Sequence, residues 1–201
     1  MRKDQKTVIK LGVTGGIGSG KTSACRVFSA LGIAVFSADA IAGEIMENDQ
    51  SIISRINSIV KRDLYTSGNL DRKELASLIF NDYSLLEKVN SLIHPVVMDH
   101  FIKWVKEQSS PYVIMEAAIL FESGASKLVD RIATLIAPME QRVDRVIHRS
   151  HLTRAQVLER MRNQMNDDIR INLSDYVIYN SENDMIIPAI LDIHKDILKL
   201  I

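Results

Sequence analysis
The spacing of apolar positions changes several times along the chain, and each change marks an element. Val8-Ile9-Lys10-Leu11-Gly12-Val13-Thr14 is a mostly apolar, β-branched run, long enough for a buried strand. Past a glycine-rich break, Ala24, Val27, Phe28 and Leu31 recur at helical spacing, and Gly32 is placed to end that helix. Residues 33–36, 112–115, 132–136 and 176–179 read as further buried strands, with helical patterns between them. The expected fold class is therefore α/β, a three-layer core around a mainly parallel sheet. Right-handed crossovers in such a sheet bring the loops after the strands to one edge, where ligands bind.

Two stretches fall outside this alternation. Residues 43–90 read as helices around a polar turn, Tyr65-Thr66-Ser67-Gly68-Asn69, and Asp71 and Glu74 are spaced as a capping pair for the helix that carries Leu75, Leu78 and Ile79. Residues 140–172 form a second helical insert, in which Thr153 and Gln156 have capping-box spacing. Helical excursions from such a core usually hold a second substrate or act as a lid, so the expected division is a core of 1–42, 91–139 and 173–201 interrupted by helical inserts at 43–90 and 140–172. His94-Pro95 falls between Leu92 and Val96, where proline is expected to break or kink the helix.

Composition narrows the class. The 201 residues carry zero formal net charge, so no global field draws the chain to nucleic acid or to acidic membranes. One cysteine excludes an internal disulfide framework, and Cys25 suits core packing in the helix after the glycine-rich loop. The lead Met1-Arg2-Lys3-Asp4-Gln5-Lys6 is charged, and no apolar stretch reaches the roughly 18 residues of a membrane span. These features lead us to expect a soluble cytoplasmic protein; the expected assembly is a monomer or small homo-oligomer, a choice these features do not make. His94, His100, His148, His151 and His194 show no metal-ligand spacing with Cys25 or with each other, which argues against structural zinc.

The chemistry concentrates in Gly15-Gly16-Ile17-Gly18-Ser19-Gly20-Lys21-Thr22, which fits the phosphate-loop pattern G-x-x-x-x-G-K-[ST] at every specified position. Glycines let the backbone turn tightly, so that its N–H groups face a phosphate chain. Lys21 supplies positive charge to the β- and γ-phosphates, and the Thr22 hydroxyl can complete the shell of a Mg²⁺ ion. The next residue is Ser23, so position 23 supplies no second threonine, and no nucleotide contact is assigned to it. Strand, loop and amphipathic helix occur in the order the motif requires.

Other candidates surround it. Asp39 follows the second strand and reads either as a carboxylate that takes a hydroxyl proton, orients a nucleophile or holds Mg²⁺, or as a helix N-cap. Between 140 and 172 lie Arg142, Arg145, Arg149, Arg154, Arg160, Arg162 and Arg170, with no lysine. Arg142, Arg145 and Arg149 share one helical face, and Arg160 and Gln164 another at i, i+4. For most of these the plain reading is a solvated face paired with Glu140, Asp144 and Glu159. One or two are expected to face a transferring phosphoryl group, for which a planar guanidinium is suited. Glu116 ends the third strand and is a candidate water-mediated Mg²⁺ ligand, while Glu122 reads as a site residue or as a partner for an Arg or backbone amide. His94 is a ligand contact or a polar end-group.

In order along nearly the whole chain, these segments resemble the dephospho-CoA kinase family. They are Leu11 to Thr22, Ala38-Asp39, Leu70-Asp71-Arg72-Lys73-Glu74-Leu75, Ile93-His94-Pro95, Ile119-Leu120-Phe121-Glu122-Ser123-Gly124, the run 149–164, and Asp175-Tyr176-Val177-Ile178-Tyr179-Asn180. The resemblance implies transfer of the ATP γ-phosphate to the ribose 3′-hydroxyl of dephospho-CoA, with Mg²⁺, giving coenzyme A and ADP. It makes 43–90 a helical CoA-binding domain and 140–172 a lid on the nucleotide core, makes Asp39 the general base, has Lys21 and Arg149 steady the phosphoryl group, and gives Thr22 to Mg²⁺. It places the loop 15–22, Arg149 and Asn180 at the nucleotide, and Thr14, Asp39, Arg72, His94, Glu116, Arg160 and Gln164 at the substrate. The chain departs from the family pattern at Ser37, where a first acid is common, at Ala118 for proline, at Glu116 for Asp, and at Ser150 for an acid. Of the rivals, a regulatory GTPase lacks its guanine-reading and switch motifs here. Another small-molecule or nucleoside monophosphate kinase would use the same loop and lid, and an inactive nucleotide binder would keep them without turnover.

Overall fold
The computed structural model describes residues 8–66, 69–150 and 152–201. The charged lead Met1 to Lys6 and the centre of the polar turn, Ser67-Gly68, lie outside the described residues. The chain divides into two compact units, one formed by residues up to Ser37 together with Val105–Ile201, the other by Ala38–Trp104.

The first unit is built on a five-stranded, wholly parallel sheet: β1 (Ile9–Gly15), β2 (Ala34–Ser37), β5 (Tyr112–Glu116), β6 (Arg131–Ile136) and β7 (Tyr176–Tyr179), in the order β2-β5-β1-β6-β7. The strands keep the expected positions to within a residue at either end. Leu11 and Val13 of β1, Tyr112 and Ile114 of β5, Ala133 and Leu135 of β6, and Ile178 of β7 are buried in one cluster with Ala24 and Phe28 of α1 (Lys21–Ala30) and Ile190, Ile193 and Ile197 of α9 (Ile186–Leu198). Nearly continuous apolar strands are what a parallel sheet buried by helices requires. On the alternate side of β1, a Cβ on Gly12 would meet Leu120 Cδ2 at 2.7 Å and Val129 Cγ2 at 3.1 Å, so the segment after β5 packs directly on that backbone. Because all strands run the same way, the loops after β1, β5, β6 and β7 share one edge.

Three helices, α6 (Met139–Ser150), α7 (Arg154–Arg162) and α8 (Asp167–Asn172), occupy the stretch expected to be a lid. Thr153 and Gln156 form the full capping box at the start of α7. The i, i+4 pairing of Arg160 with Gln164 does not hold, because α7 ends at Arg162 and Gln164 lies beyond the cap residue Asn163. Asn166 then caps α8, accepting from Asp168 N, so the chain stops one helix and starts another across these few residues.

The second unit is helical: α2 (Ala38–Asn48), α3 (Gln50–Val60), α4 (Arg72–Asn81) and α5 (Tyr83–Val105). A short antiparallel pair, β3 (Tyr65–Thr66) and β4 (Asn69–Leu70), stands where a polar turn was expected. Asp71 caps α4 through the Lys73 and Glu74 amides, but the Glu74 side chain turns to Arg62 instead of closing a capping box. Pro95 does not break α5. Leu92 and Ile93 before it and Val97 and Phe101 after it are buried, and burial on both sides outweighs the hydrogen bond proline cannot donate.

Candidate active site
The phosphate loop joins β1 to α1 at the centre of the sheet. Gly20 precedes the helix with φ 100°, and no side-chain hydrogen bond caps α1 there, as an anion site at a helix start would need. A Cβ on Gly20 would also lie 2.1 Å from Asn180 Nδ2, whose amide donates to the Ser19 carbonyl at 2.7 Å. The Lys21 ammonium folds back along the loop, donating to the carbonyls of Gly15 at 2.8 Å and Gly16 at 3.2 Å. It thus holds a positive charge over the loop's opening turn.

Thr22 donates its hydroxyl to Oε1 of Glu116 at 2.8 Å. Position 23 adds no second threonine beside it: Ser23 is exposed, and its amide donates to the Gly20 carbonyl at 3.0 Å, a backbone role in the first turn of α1. Glu116 is only 8 % exposed and lies in register with Val13 of β1 and Ser37 of β2. The sheet therefore delivers a buried carboxylate beside Thr22. Below them the Cys25 thiol is held well above the usual thiol range, first by burial and then by the Glu116 charge, with Lys21 opposing. A thiol kept protonated is a packing group, as its position suggested.

Thr14 and Thr134 face each other in the β1–β6 register, and both are fully buried. Neither hydroxyl has a hydrogen-bond partner among the described residues, and the same is true of Ser19 Oγ. Buried hydroxyls are normally paired, so these cluster where the sheet meets the loop.

The arginines separate sharply. Arg142 is 8 % exposed, with Nε donating to the Ile17 carbonyl at 3.0 Å and Nη1 to Asp167 Oδ2 at 2.8 Å. Burial pulls its pKa down while Asp167 pulls it up. Arg170 has no exposed surface and donates to the other Asp167 oxygen at 2.5 Å and to the Met165 carbonyl at 2.8 Å. Arg145 reaches the carbonyls of Asn180 at 3.0 Å and Gly18 at 3.5 Å. Arg149, on the last turn of α6, is exposed. Arg154, paired with Glu140 at 2.7 Å, follows the solvated-face reading, and Arg162 is exposed. Arg142, Arg145 and Arg149 share a helix but not an environment.

Gln164 does not project from a helix. Its Oε1 accepts from Ile17 N at 2.8 Å, across 147 positions of sequence. Glu122 is the structural partner that its second reading required, accepting from Met165 N at 2.9 Å. Arg160 is half-buried in α7.

In the second unit, Asp39 sits in the first turn of α2, one residue inside the helix, so it is not the N-cap. It comes two residues after Ser37 ends β2. Arg72 pairs with Glu47 through Nε at 2.9 Å and Nη2 at 2.7 Å. His94 is half-buried in α5, and burial holds its imidazole below the ordinary histidine value. Sequence spacing did not reveal that Arg142 and Arg145 reach loop carbonyls, or that Asp167 joins Arg142 to Arg170. The absence of lysine from 140–172 was the available signal.

A family model described as dephospho-CoA kinase matches residues 9–185. The chain belongs to the dephospho-CoA kinase family. A dephospho-CoA kinase of Bacteroides fragilis is 34 % identical over 186 residues, covering 92 % of this chain and 91 % of that protein. A crystal structure of a Thermus thermophilus protein superposes with a TM-score of 0.82 at 30 % identity, over 98 % of this chain and 99 % of the other. A dephospho-CoA kinase from Campylobacter jejuni shares the fold, with a TM-score of 0.68 at 21 % identity over 94 % of this chain and 97 % of its own. The family implies ATP and a small-molecule acceptor. Among the described residues no helix is long and apolar enough to cross a membrane.

Proposed function
We infer that this chain transfers the γ-phosphate of ATP to the ribose 3′-hydroxyl of dephospho-CoA, giving coenzyme A and ADP, the last step of coenzyme A synthesis. The observation that carries the reading is the intact phosphate loop with Thr22 bonded to buried Glu116, in a chain of this family.

Each residue then has a task. The loop amides and the α1 N-terminus receive the β- and γ-phosphates, and Lys21 leaves its loop carbonyls to follow the migrating phosphoryl group. Thr22 and Glu116 offer adjacent hard oxygens and fit Mg²⁺, which would supply charge neutralisation to the phosphates. Asp39 takes the proton from the attacking 3′-hydroxyl as its oxygen bonds to phosphorus and the bond to the ADP oxygen breaks. Arg149, exposed and planar, meets the transferring group from the lid. Asn180 acts on the nucleotide through the Ser19 carbonyl it holds. Thr14 and Arg160 serve the substrate alongside these groups, whereas Gln164, whose side-chain oxygen is taken by Ile17 N–H, acts through the phosphate loop and not on the acceptor. Arg72 and His94 take the acceptor on the second unit, whose 43–90 region is the acceptor-binding domain, with 140–172 as the lid. The enzyme works in the cytoplasm, as a monomer or small homo-oligomer.

The test is ADP release with ATP and Mg²⁺, offering dephospho-CoA beside adenosine, nucleoside monophosphates and shikimate. Turnover with dephospho-CoA alone, and coenzyme A as product, is expected. Turnover with another acceptor would void the acceptor assignment, and ATP binding without turnover would void the reaction.

A further inference from the structure
Ile17 is held through three of its groups, and every tether comes from the stretch that begins with α6. Its N–H donates to Gln164 Oε1 at 2.8 Å, and its carbonyl accepts from Arg142 Nε at 3.0 Å. Its side chain packs on the cluster of Val143, Val146 and Val157. Arg142 is itself fixed, because Asp167 divides its two oxygens between Arg142 and the fully buried Arg170. Gly16 leaves room for this arrangement: a Cβ there would lie 2.0 Å from Arg142 Nη2. Burying two guanidiniums against one carboxylate is costly, and apolar side chains of similar volume would hold the fold as well. What the polar version adds is direction, an N–H aimed at one carbonyl of the loop.

We propose that Arg142, Asp167 and Gln164 are positioning residues forming a clamp on the Ile17 peptide, which presets the phosphate loop for the triphosphate. A loop rich in glycine has much conformational freedom to lose when it binds. A clamp removes that freedom before the nucleotide arrives, so its contribution belongs to nucleotide affinity and not to acceptor affinity. The assignment rests on the kinase reading only in taking ATP as the nucleotide.

Gln164→Leu, Arg142→Lys and Asp167→Asn test it, with ATP dissociation constants from calorimetry, KM for each substrate, and melting temperature. Gln164 is half-buried at the surface of the clamp, so its variant keeps the test alive if the buried pair fails to fold. In Gln164→Leu the ATP Kd and the KM for ATP should rise about tenfold, the equivalent of one lost hydrogen bond. The KM for dephospho-CoA should stay within about twofold, since no acceptor contact is touched. Asp167→Asn and Arg142→Lys should show the same split. Unchanged ATP Kd in folded Gln164→Leu and Asp167→Asn, or an equal rise in both KM values, would overturn the clamp. If the unaltered chain binds ATP with this dependence but does not phosphorylate dephospho-CoA, the clamp stands and the proposed reaction falls.

Discussion

Replacing Gly16 with alanine isolates a single steric fact. The Cβ would lie 2.0 Å from Nη2, 2.5 Å from Cζ and 3.0 Å from Nη1 of Arg142. Gly16 is not among the glycines with positive φ, so alanine suits the backbone and the cost lies in moving the guanidinium. Moving it breaks the bonds to the Ile17 carbonyl and to Asp167. Charge-assisted hydrogen bonds contribute about 1.5–3 kcal/mol each. The Asp167 side chain is 31 % exposed, so water recovers part of that. The net loss should be about 2–4 kcal/mol, or a fall of roughly 4–16 °C in melting temperature for a chain of this size. The assay is a four-member cycle of thermal and urea denaturation: the unaltered chain, Gly16→Ala, Arg142→Ala and the double variant. With Arg142 cut back the clash disappears, so Gly16→Ala should then cost less than about 1 kcal/mol. Additive effects of the two substitutions would refute the reasoning, because they would mean the methyl group and the guanidinium do not compete for one space.

Three other outcomes are expected. Asp39→Asn should leave ATP binding intact and lower transfer by about 10²–10⁴-fold; near-normal turnover, measured by ADP release, would remove Asp39 as the base. Cys25 should react with a thiol reagent at neutral pH on the order of a hundredfold more slowly in the native protein than in urea, because burial keeps the thiol protonated and covered; equal rates would contradict that. The His94 imidazole is held below its ordinary value of about 6.5, so on acidification the unfolded chain binds the proton first. Stability is full above that ordinary value and declines as pH falls towards the depressed one. His94→Gln should flatten this part of the slope in urea midpoints, and parallel slopes would refute the assignment.

The sheet was legible because each strand is apolar for nearly its whole length, and the phosphate loop because its glycines are consecutive with the lysine that needs them. Local caps were partly legible: Thr153 with Gln156 is a complete capping box, whereas Glu74 is diverted by Arg62, a partner that spacing within one helix cannot register. Of the two outcomes expected at Pro95, the break does not occur, since residues buried on both sides of it keep one continuous helix.

The chain by itself determined the α/β class, the strand that leads into the phosphate loop, and the loop pattern that ends in Lys21 and Thr22, because these depend on residues adjacent in sequence or on one repeating period. The tertiary structure decided which arginine does what. Arg142, Arg145 and Arg149 are equivalent by helical spacing, but one is buried against the Ile17 carbonyl, one reaches Asn180, and one is exposed. Only packing could separate them, because the partners lie up to 127 positions away along the chain and are carbonyl groups, which every residue carries alike. The same holds for Glu116. Its carboxylate is plain in the sequence, but its bond to Thr22 exists because parallel pairing sets β5 beside β1.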